Sequence, residues 1–506
     1  MFLRIKSGGV WAIEGFPVDV EVDISNGLPQ FSIVGLPDKA INEAKERVRS
    51  AIKNSGFQVP IKRITVNLSP SHVKKQGTLY DLPIAMGIVS LSSGIEVPED
   101  MVFLGELSLD GKLKKVKGVL PIVHSLKSRG FRRFAVPKDN AKEGALIDGV
   151  EVYGFDSLME VVDFIRGDVN KKPEEVKFKE LCGQAYSFDL SEVYGQNQAK
   201  RAIEISCAGM HHILLIGPPG TGKSMLAKRM VTVMPPISIE ESLEVTRIYS
   251  VAGLLDEENP LITTRPMRQP HYSASDTALV GGGNPPQPGE ISLAHRGILF
   301  LDELPEFSRK AIEALRQPLE DGFITVSRAG GRATFPAQFL LVAAMNPCPC
   351  GNHGNPYKAC TCSPLQIKNY QSKVSGPILD RIDLRVWVEP VDKEVLISMK
   401  FGESSEEIRK RVMRAVEVQR ERFKDRRIKF NSQMSNEEVR RFCVMTDEAR
   451  STLGLAVERL HITGRSYIKL LKVARTIADL EGEEKIQSSH IAETLQYRMD
   501  DKEPAL

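Results

Sequence analysis

The sequence predicts an α/β protein of several domains that closes in an all-helical region. Three observations carry this. Residues 1–165 alternate strand-like and helix-like patterns. A glycine-rich octapeptide sits between the apolar tetrad Ile213–Ile216 and a helix-like run. Beyond residue 390 strand patterns give way to two helical stretches, 406–429 and 437–498. At 506 residues the chain exceeds what one core can organise. Boundaries are expected at 1–170, a linker at 171–189, a second α/β unit at 190–395 and a helical unit at 396–506.

In the first unit, residues 31–34 read as a short buried strand. Asp38 then caps a helix whose Ala40, Ile41, Ala44, Val48, Ala51 and Ile52 share one face, with Gly56 ending it. Residues 61–68 form a second strand and 82–91 a buried helix. Residues 102–113 read as a hairpin turning at Asp110-Gly111. A helix at 119–127, a strand at 134–136 and a helix at 158–165 complete the unit. Residues 171–180 hold charges, one proline and two apolar residues, the composition of a linker.

Composition excludes several classes. A 42% hydrophobic and 26% charged chain is an ordinary globular one, and a net charge of +3 leaves any basic surface local. Residues 1–9 lack the apolar core of a signal peptide, and no run of about 18 apolar residues exists. The expected location is the cytoplasm. Seven cysteines do not make a disulfide scaffold at this length.

The octapeptide Gly217-Pro218-Pro219-Gly220-Thr221-Gly222-Lys223-Ser224 has the make-up of a phosphate cradle. Backbone N–H groups face the anion, and the glycines admit it without a Cβ in the way. Lys223 is expected to reach the β/γ-phosphates and Ser224 to offer a hydroxyl to Mg²⁺, for ATP or GTP. Residues 298–303, Ile-Leu-Phe-Leu-Asp302-Glu303, form an apolar strand ending in two acids. Such a motor needs one carboxylate for the Mg²⁺ shell, assigned to Asp302, and one to polarise water, assigned to Glu303. The alternative is a buried strand running into an acidic turn. Asn346 ends a third apolar strand, where ligands sit in open parallel sheets, or is a turn residue before Pro347. Arg381 and Arg465, each alone, are of a kind more often found in surface ion pairs than in catalysis.

Together, the order of these motifs resembles an AAA+ ATPase. The segments RPMRQPHYSASDTALVGGG, PGEISLAHRGILFLDELPEF, LVAAMNPCPCG, LDRIDL and TGRSYIKLLKVARTIADL closely resemble the magnesium-chelatase-like family of YifB and the competence protein ComM. The resemblance covers essentially the whole chain. It implies an arginine finger at Arg381 acting on a neighbour's γ-phosphate, a first sensor at Asn346, a second at Arg465, and a homo-hexameric ring. It also implies a DNA motor, with helicase and branch-migration activity on single-stranded or branched DNA in recombination of incoming strands. A protein-remodelling ATPase acting on a protein partner is the second hypothesis. Relatives usually carry Asn where this chain has Arg296, a position expected to lie outside the phosphate contacts.

The stretch 235–290 exceeds what one helix and one strand need, and Gly281-Gly282-Gly283 with three nearby prolines reads as turn and hairpin material. It resembles the family's helix-2 insert. Residues 323–328 and 332–335 read as a hairpin with Arg328 and Arg332 flanking its tip, placed for DNA phosphates or simply solvated. Residues 408–429 carry ten Lys/Arg against three Asp/Glu on a helix with one apolar side. That face is open to solvent or to a nucleic-acid backbone.

Cys348, Cys350, Cys360 and Cys362 crowd a turn-rich loop. Four thiols there suit a structural, tetrahedral Zn²⁺; four reduced thiols and a redox pair are the alternatives. Cys182, Cys207 and Cys443 read as incidental thiols. The first unit resembles the Lon-protease-like, ribosomal S5 domain 2-like domain of magnesium-chelatase proteins, through Gly77-Thr78-Leu79-Tyr80-Asp81-Leu82-Pro83 and Leu104-Gly105-Glu106-Leu107. That turn holds no serine nucleophile, and Val119-Leu120-Pro121 stands in the lysine region. A scaffold or partner-binding role is therefore expected rather than proteolysis.

Overall fold

The computed structural model describes residues 1–176, 186–328, 331–391, 393–398 and 401–498, with the side chains of Arg328, Lys393 and Leu396 outside that description. Much of the expected linker, Cys182 and the hairpin tip at Ala329-Gly330 lie outside the described residues.

The first unit opens with a long antiparallel hairpin, β1 (Phe2–Trp11) and β2 (Glu14–Ser25), in register from Phe2↔Asp23 to Trp11↔Glu14. Neither strand was among the expected elements. Yet Val18, Val20, Val22 and Ile24 of β2 alternate strictly and are buried, the period of a strand with one face on a core. β3 (Gln30–Val34) is an edge strand in which only Ile33 is buried, not the buried strand expected. Helix α1 (Lys39–Asn54) starts where Asp38 accepts from the N–H of Ile41, and it buries the expected face. β4 (Arg63–Ser69) and the almost wholly buried α2 (Asp81–Ser93) follow.

β5 (Met101–Phe103) pairs in parallel with β1, so the expected hairpin shrinks to β6 (Glu106–Leu107) and β7 (Leu113–Lys114). Then come α3 (Val119–Lys127), β8 (Arg133–Pro137), α4 (Lys138–Gly144), β9 (Glu151–Phe155) and α5 (Leu158–Arg166). The sheet runs β3-β4-β2-β1-β5-β8-β9.

The second unit begins with α6 (Asn197–Gly209) and β10 (Ile213–Ile216), then α7 (Lys223–Arg229). The long insertion is more ordered than its turn residues suggest. It holds α8 (Ile239–Ala252), the edge strand β11 (Met267–Arg268), α9 (Asp276–Val280) and a hairpin of β12 (Gly281–Gly282) with β13 (Gln287–Pro288). After α10 (Glu290–Leu293) come β14 (Ile298–Leu301), α11 (Arg309–Ala314) and α12 (Arg316–Asp321). The antiparallel hairpin β15 (Phe323–Arg328) and β16 (Gly331–Pro336) leads to β17 (Leu340–Met345). α13 (Pro364–Gln371), α14 (Gly376–Leu379), β18 (Leu384–Trp387) and α15 (Lys393–Ser398) end the unit.

The central sheet is parallel throughout, in the order β11-β14-β17-β10-β18. Strands buried on both faces explain the continuous apolar runs at β10, β14 and β17. The chain leaves β10 for the far edge and returns past it to β18. β10 therefore lies at the switch point where α/β sheets bind ligands.

The helical region comprises α16 (Ser405–Arg422), α17 (Asn436–Phe442), α18 (Asp447–Arg459), α19 (Gly464–Glu481) and α20 (Ser488–Gln496). It docks on α6 through a core containing Val473 and Ile477 and through Arg201, which bonds Glu493 and Glu481. Most cations of the basic stretch are partnered. Arg411 pairs with Glu204 and Glu403, Arg422 with the buried Asp479, Arg426 with Glu438 and Lys429 with Glu241.

The first unit also packs on the second. The β1–β2 turn, Ala12 and Ile13, joins the cluster of Val326 and Phe335 on the β15–β16 hairpin. The indole N–H of Trp11 donates to the carbonyl of Arg332 at 3.2 Å. Beside it, the hydroxyl of Ser250 on α8 donates to the buried Glu143 at 2.5 Å, and Lys142 pairs with Glu258 at 2.7 Å.

Candidate nucleotide site

β10, β14 and β17 end side by side: β10 leads to the loop with Lys223 and Ser224, β14 to Asp302 and Glu303, and β17 to Asn346. β10 runs into the glycine-rich loop, where Gly220 and Gly222 have φ of +79° and +90° and need no Cβ. A Cβ on Gly217 would stand 2.3 Å from the carbonyl oxygen of Val388, so the loop's first residue is held against the chain after β18.

Lys223 points back into the loop. Its ammonium donates to the carbonyls of Gly217 (2.7 Å) and Pro218 (2.8 Å) and to Oδ1 of Asn346 (3.2 Å). Burial lowers its pKa to about 8, with Asp302 and Glu303 pulling the other way. The hydroxyl of Ser224 donates to Asp302 at 2.6 Å. Glu303 follows with φ of 52°, a left-handed conformation unusual for this residue, while its own N–H donates to Asp302 at 3.1 Å. Lys223 with Asn346 and Ser224 with Asp302 thus form two neighbouring hydrogen-bonded pairs, and Asp302 and Glu303 lie close enough to act on the ammonium. A hydroxyl next to a carboxylate suits a hydrated Mg²⁺, and a half-desolvated ammonium suits phosphate oxygens.

Arg381 and Arg465 do not join these pairs. Both line a cavity of about 530 Å³ between α12, β18 and the helical region, and none of residues 217–224 does. Arg381 ion-pairs with Glu320 and donates to the carbonyl of Pro377 at 2.7 Å, while its Nε has no partner among the described residues. Arg296 lines the same cavity and donates to Glu244 at 2.7 Å. No local pattern signals this company, since the three arginines come from separate elements.

Asp383 is the residue that sequence reasoning passed over. It bonds Lys469 of α19 at 3.0 Å and His211 at 3.3 Å. Burial alone would raise its pKa, but Lys469 and the two histidines outweigh that and hold it well below the usual carboxylate range. It fastens the helical region beside Arg381. The only hint in the sequence was its place in LDRIDL.

The four expected cysteines converge, with their sulfurs within 4.8 Å of one another. Arg332 is exposed beside the tip of its hairpin. In the first unit the Gly77–Pro83 turn is occupied by ion-paired groups. Arg47 grips Asp81, whose pKa burial raises to about 6 against the pull of Arg47, and the hydroxyl of Thr78 donates to Glu106. Among the described residues no helix is long and apolar enough to cross a membrane.

Comparison with known proteins places this arrangement. The family described as Magnesium chelatase, subunit ChlI matches residues 189–396, with related ChlI families over 20–140 and 402–498. The chain is 43% identical over 490 residues to competence protein ComM of Haemophilus influenzae, covering 95% of this chain and 94% of the relative. It is likewise 43% identical to YifB of Escherichia coli, over 96% and 95% of the two chains. A magnesium-chelatase 38 kDa subunit of Chlorobaculum tepidum is 22% identical over 61% of this chain and 79% of its own length. With its mixed α/β units, parallel sheet and helical C-terminal region, the chain belongs to the magnesium-chelatase-like AAA+ family that includes YifB and ComM.

Proposed function

We propose that this protein is a ring-forming AAA+ ATPase that couples ATP hydrolysis to translocation along DNA, as a helicase or branch-migration motor in the cytoplasm. The observation that carries the reading is the division of the cationic groups. Lys223 stands in the loop, whereas Arg381 and Arg465 face a cavity with no part of that loop. A site lacking its own arginines is completed by a neighbouring copy, which favours a closed ring, a hexamer by family precedent.

In this reading the backbone of residues 217–222 cradles ATP and Lys223 holds the β/γ-phosphates. Ser224 and Asp302 would hold Mg²⁺, which would neutralise phosphate charge. Glu303 takes the proton of the attacking water and Asn346 orients that water. Arg381 and Arg465 of the adjacent copy meet the charge that develops on the γ-phosphate, a contribution of roughly 10³–10⁵ in other phosphoryl-transfer systems. Arg328 and Arg332 contact the DNA backbone. A structural Zn²⁺ at the four cysteines belongs to the same reading, as does the Lon-like, S5 domain 2-like kinship of the first unit. The name of the competence relative supports DNA as the polymer.

Two measurements test it. Lys223→Ala and Arg381→Ala, each inactive alone, should regain ATPase activity when mixed, because mixed rings contain interfaces with both groups intact. A mixture as dead as its components removes the trans assignment. Single-stranded or forked DNA should raise turnover and bind with steep salt dependence. If DNA does neither, the motor acts on a protein partner, as the likeness to magnesium-chelatase subunits would favour.

A further inference from the structure

The loop that follows Asn346 brings four thiols together beside the glycine-rich loop, and neither the order of the motifs nor the division of the arginines accounts for it. Cys348 and Cys350 lie 3.4 Å apart, Cys348 and Cys360 3.7 Å, and Cys350 and Cys360 3.6 Å. A tetrahedral zinc with Zn–S bonds of about 2.3 Å has S···S edges of about 3.8 Å. A disulfide would need about 2.05 Å. Backbone N–H groups of His353 and Cys362 donate to the sulfurs of Cys348 and Cys360, both at 3.4 Å, the outer contacts that steady thiolate ligands. Four soft ligands with no open position select a structural Zn²⁺ over a catalytic one.

The loop has little else to order it. Between Cys350 and Cys362 only Gly351 is buried, and Tyr357 is 67% exposed. A segment without an apolar core takes its fixed shape from the metal. That shape matters because of what the loop touches. Gly351, with φ of +79°, lies so close to the nucleotide loop that a Cβ would stand 2.6 Å from Cδ of Pro219. Asn346, which accepts from Lys223, is two residues from the first thiol. At the other end, Ser363 directly after Cys362 caps α13, and Gln371 of that helix donates to the carbonyl of Pro347 at 3.0 Å. The thiol loop is thus tied to β17, to α13 and to the wall of the candidate site.

We propose that Cys348, Cys350, Cys360 and Cys362 hold one Zn²⁺ whose work is to fix Pro219 and Asn346, so that nucleotide affinity depends on the metal. This rests on the nucleotide site proposed above and deepens it. The four thiols position rather than react, and the metal never meets the substrate.

The test uses the full chain and reads metal content and affinity for a fluorescent ADP analogue separately. Wild type should carry one zinc per chain, and Co²⁺ loaded in its place should show a thiolate charge-transfer band. The double variant Cys360→Ser/Cys362→Ser should lose the zinc and bind ADP about tenfold more weakly, a loss of ~1.4 kcal/mol. Gly351→Ala keeps all four thiols, so it should retain zinc yet weaken ADP binding by pressing on Pro219; it serves if the double variant does not fold. Lys223→Ala should lose ADP and keep zinc. A wild type without zinc, or one whose cobalt form lacks the band, overturns the metal site. Zinc-depleted chain or Gly351→Ala binding ADP as wild type does overturns the coupling. Zinc-loaded wild type that binds no nucleotide overturns the site reading and leaves the metal standing.

Discussion

Replacing Asp383 by Asn should loosen the helical region without touching the nucleotide loop. The carboxylate is 12% exposed and lies 3.0 Å from Lys469, which is 23% exposed, and 3.3 Å from His211. Removing one member of a buried pair costs about 3–5 kcal/mol. The lower figure applies here, because Lys469 keeps some solvent and still donates to the carbonyl of Ile382. For a unit of this size each kcal/mol moves a melting midpoint by about 2 °C, so the variant should melt about 6 °C lower. The pH dependence has a definite sign. Because the folded carboxyl titrates well below its unfolded value of about 3.9, its stabilisation is complete above that value and drains away as pH falls through the folded one. The gap between wild type and variant should therefore stay constant from about pH 5 to 8 and close in acid. The same variant should bind ADP normally, since Lys223 and Asp302 are untouched, but hydrolyse ATP more slowly because Arg465 rides on α19. A calorimetric scan and an ATPase assay read both. A midpoint within about 1 °C of wild type at pH 7 refutes the reasoning.

Two further outcomes follow from the geometry. Lys223 titrates at about 8 in the free protein, and a bound phosphate raises that value, so nucleotide binding should take up a proton near pH 8.5 and weaken as pH climbs through 8. Titration calorimetry in buffers of different ionisation enthalpy shows whether it does, and zero proton uptake would contradict the buried ammonium. Trp11→Ala should speed hydrogen exchange in residues 331–335 about fivefold, the effect of losing one hydrogen bond of ~1 kcal/mol, while leaving ADP affinity unchanged; unaltered exchange would mean that the first unit does not steady the hairpin.

The parts of this molecule that read directly from sequence are those in which one short segment carries its own signal. The runs at β10, β14 and β17 are apolar because both sheet faces are covered, and a motif follows each. Asp38 announces α1 because a cap and a one-sided face lie next to each other in the chain. β1 and β2 escaped for a local reason: their turn is Ala12-Ile13, without Gly, Asn or Asp, although the alternation of β2 was there to be used. α8 escaped because glycines and prolines around it dominate the composition of the insertion. The basic stretch at 408–429 shows a different limit. Charges are visible in sequence but partners are not, and Glu204, Glu403, Asp479, Glu438 and Glu241 come from elsewhere in the fold. The company of Arg296, Arg381 and Arg465 is long-range in the same sense.

Within one chain the phosphate-loop residues and the arginines are separate groups. Lys223, Ser224, Asp302 and Asn346 are backed by the thiol loop; Arg381 is braced by Glu320, and Asp383 with Lys469 stands beside it. In the proposed ring, the state of one copy's nucleotide is felt by the next copy's arginines, and Asp383 passes that contact into the helical region. The β15–β16 hairpin lies within the second unit but leans on the β1–β2 turn. A shift of the sheet against the first unit would therefore tilt the hairpin rather than carry it rigidly along. Trp11 meets the hairpin next to its turn, against Gly331 and Arg332, so the first unit steadies the end of the hairpin that carries Arg332.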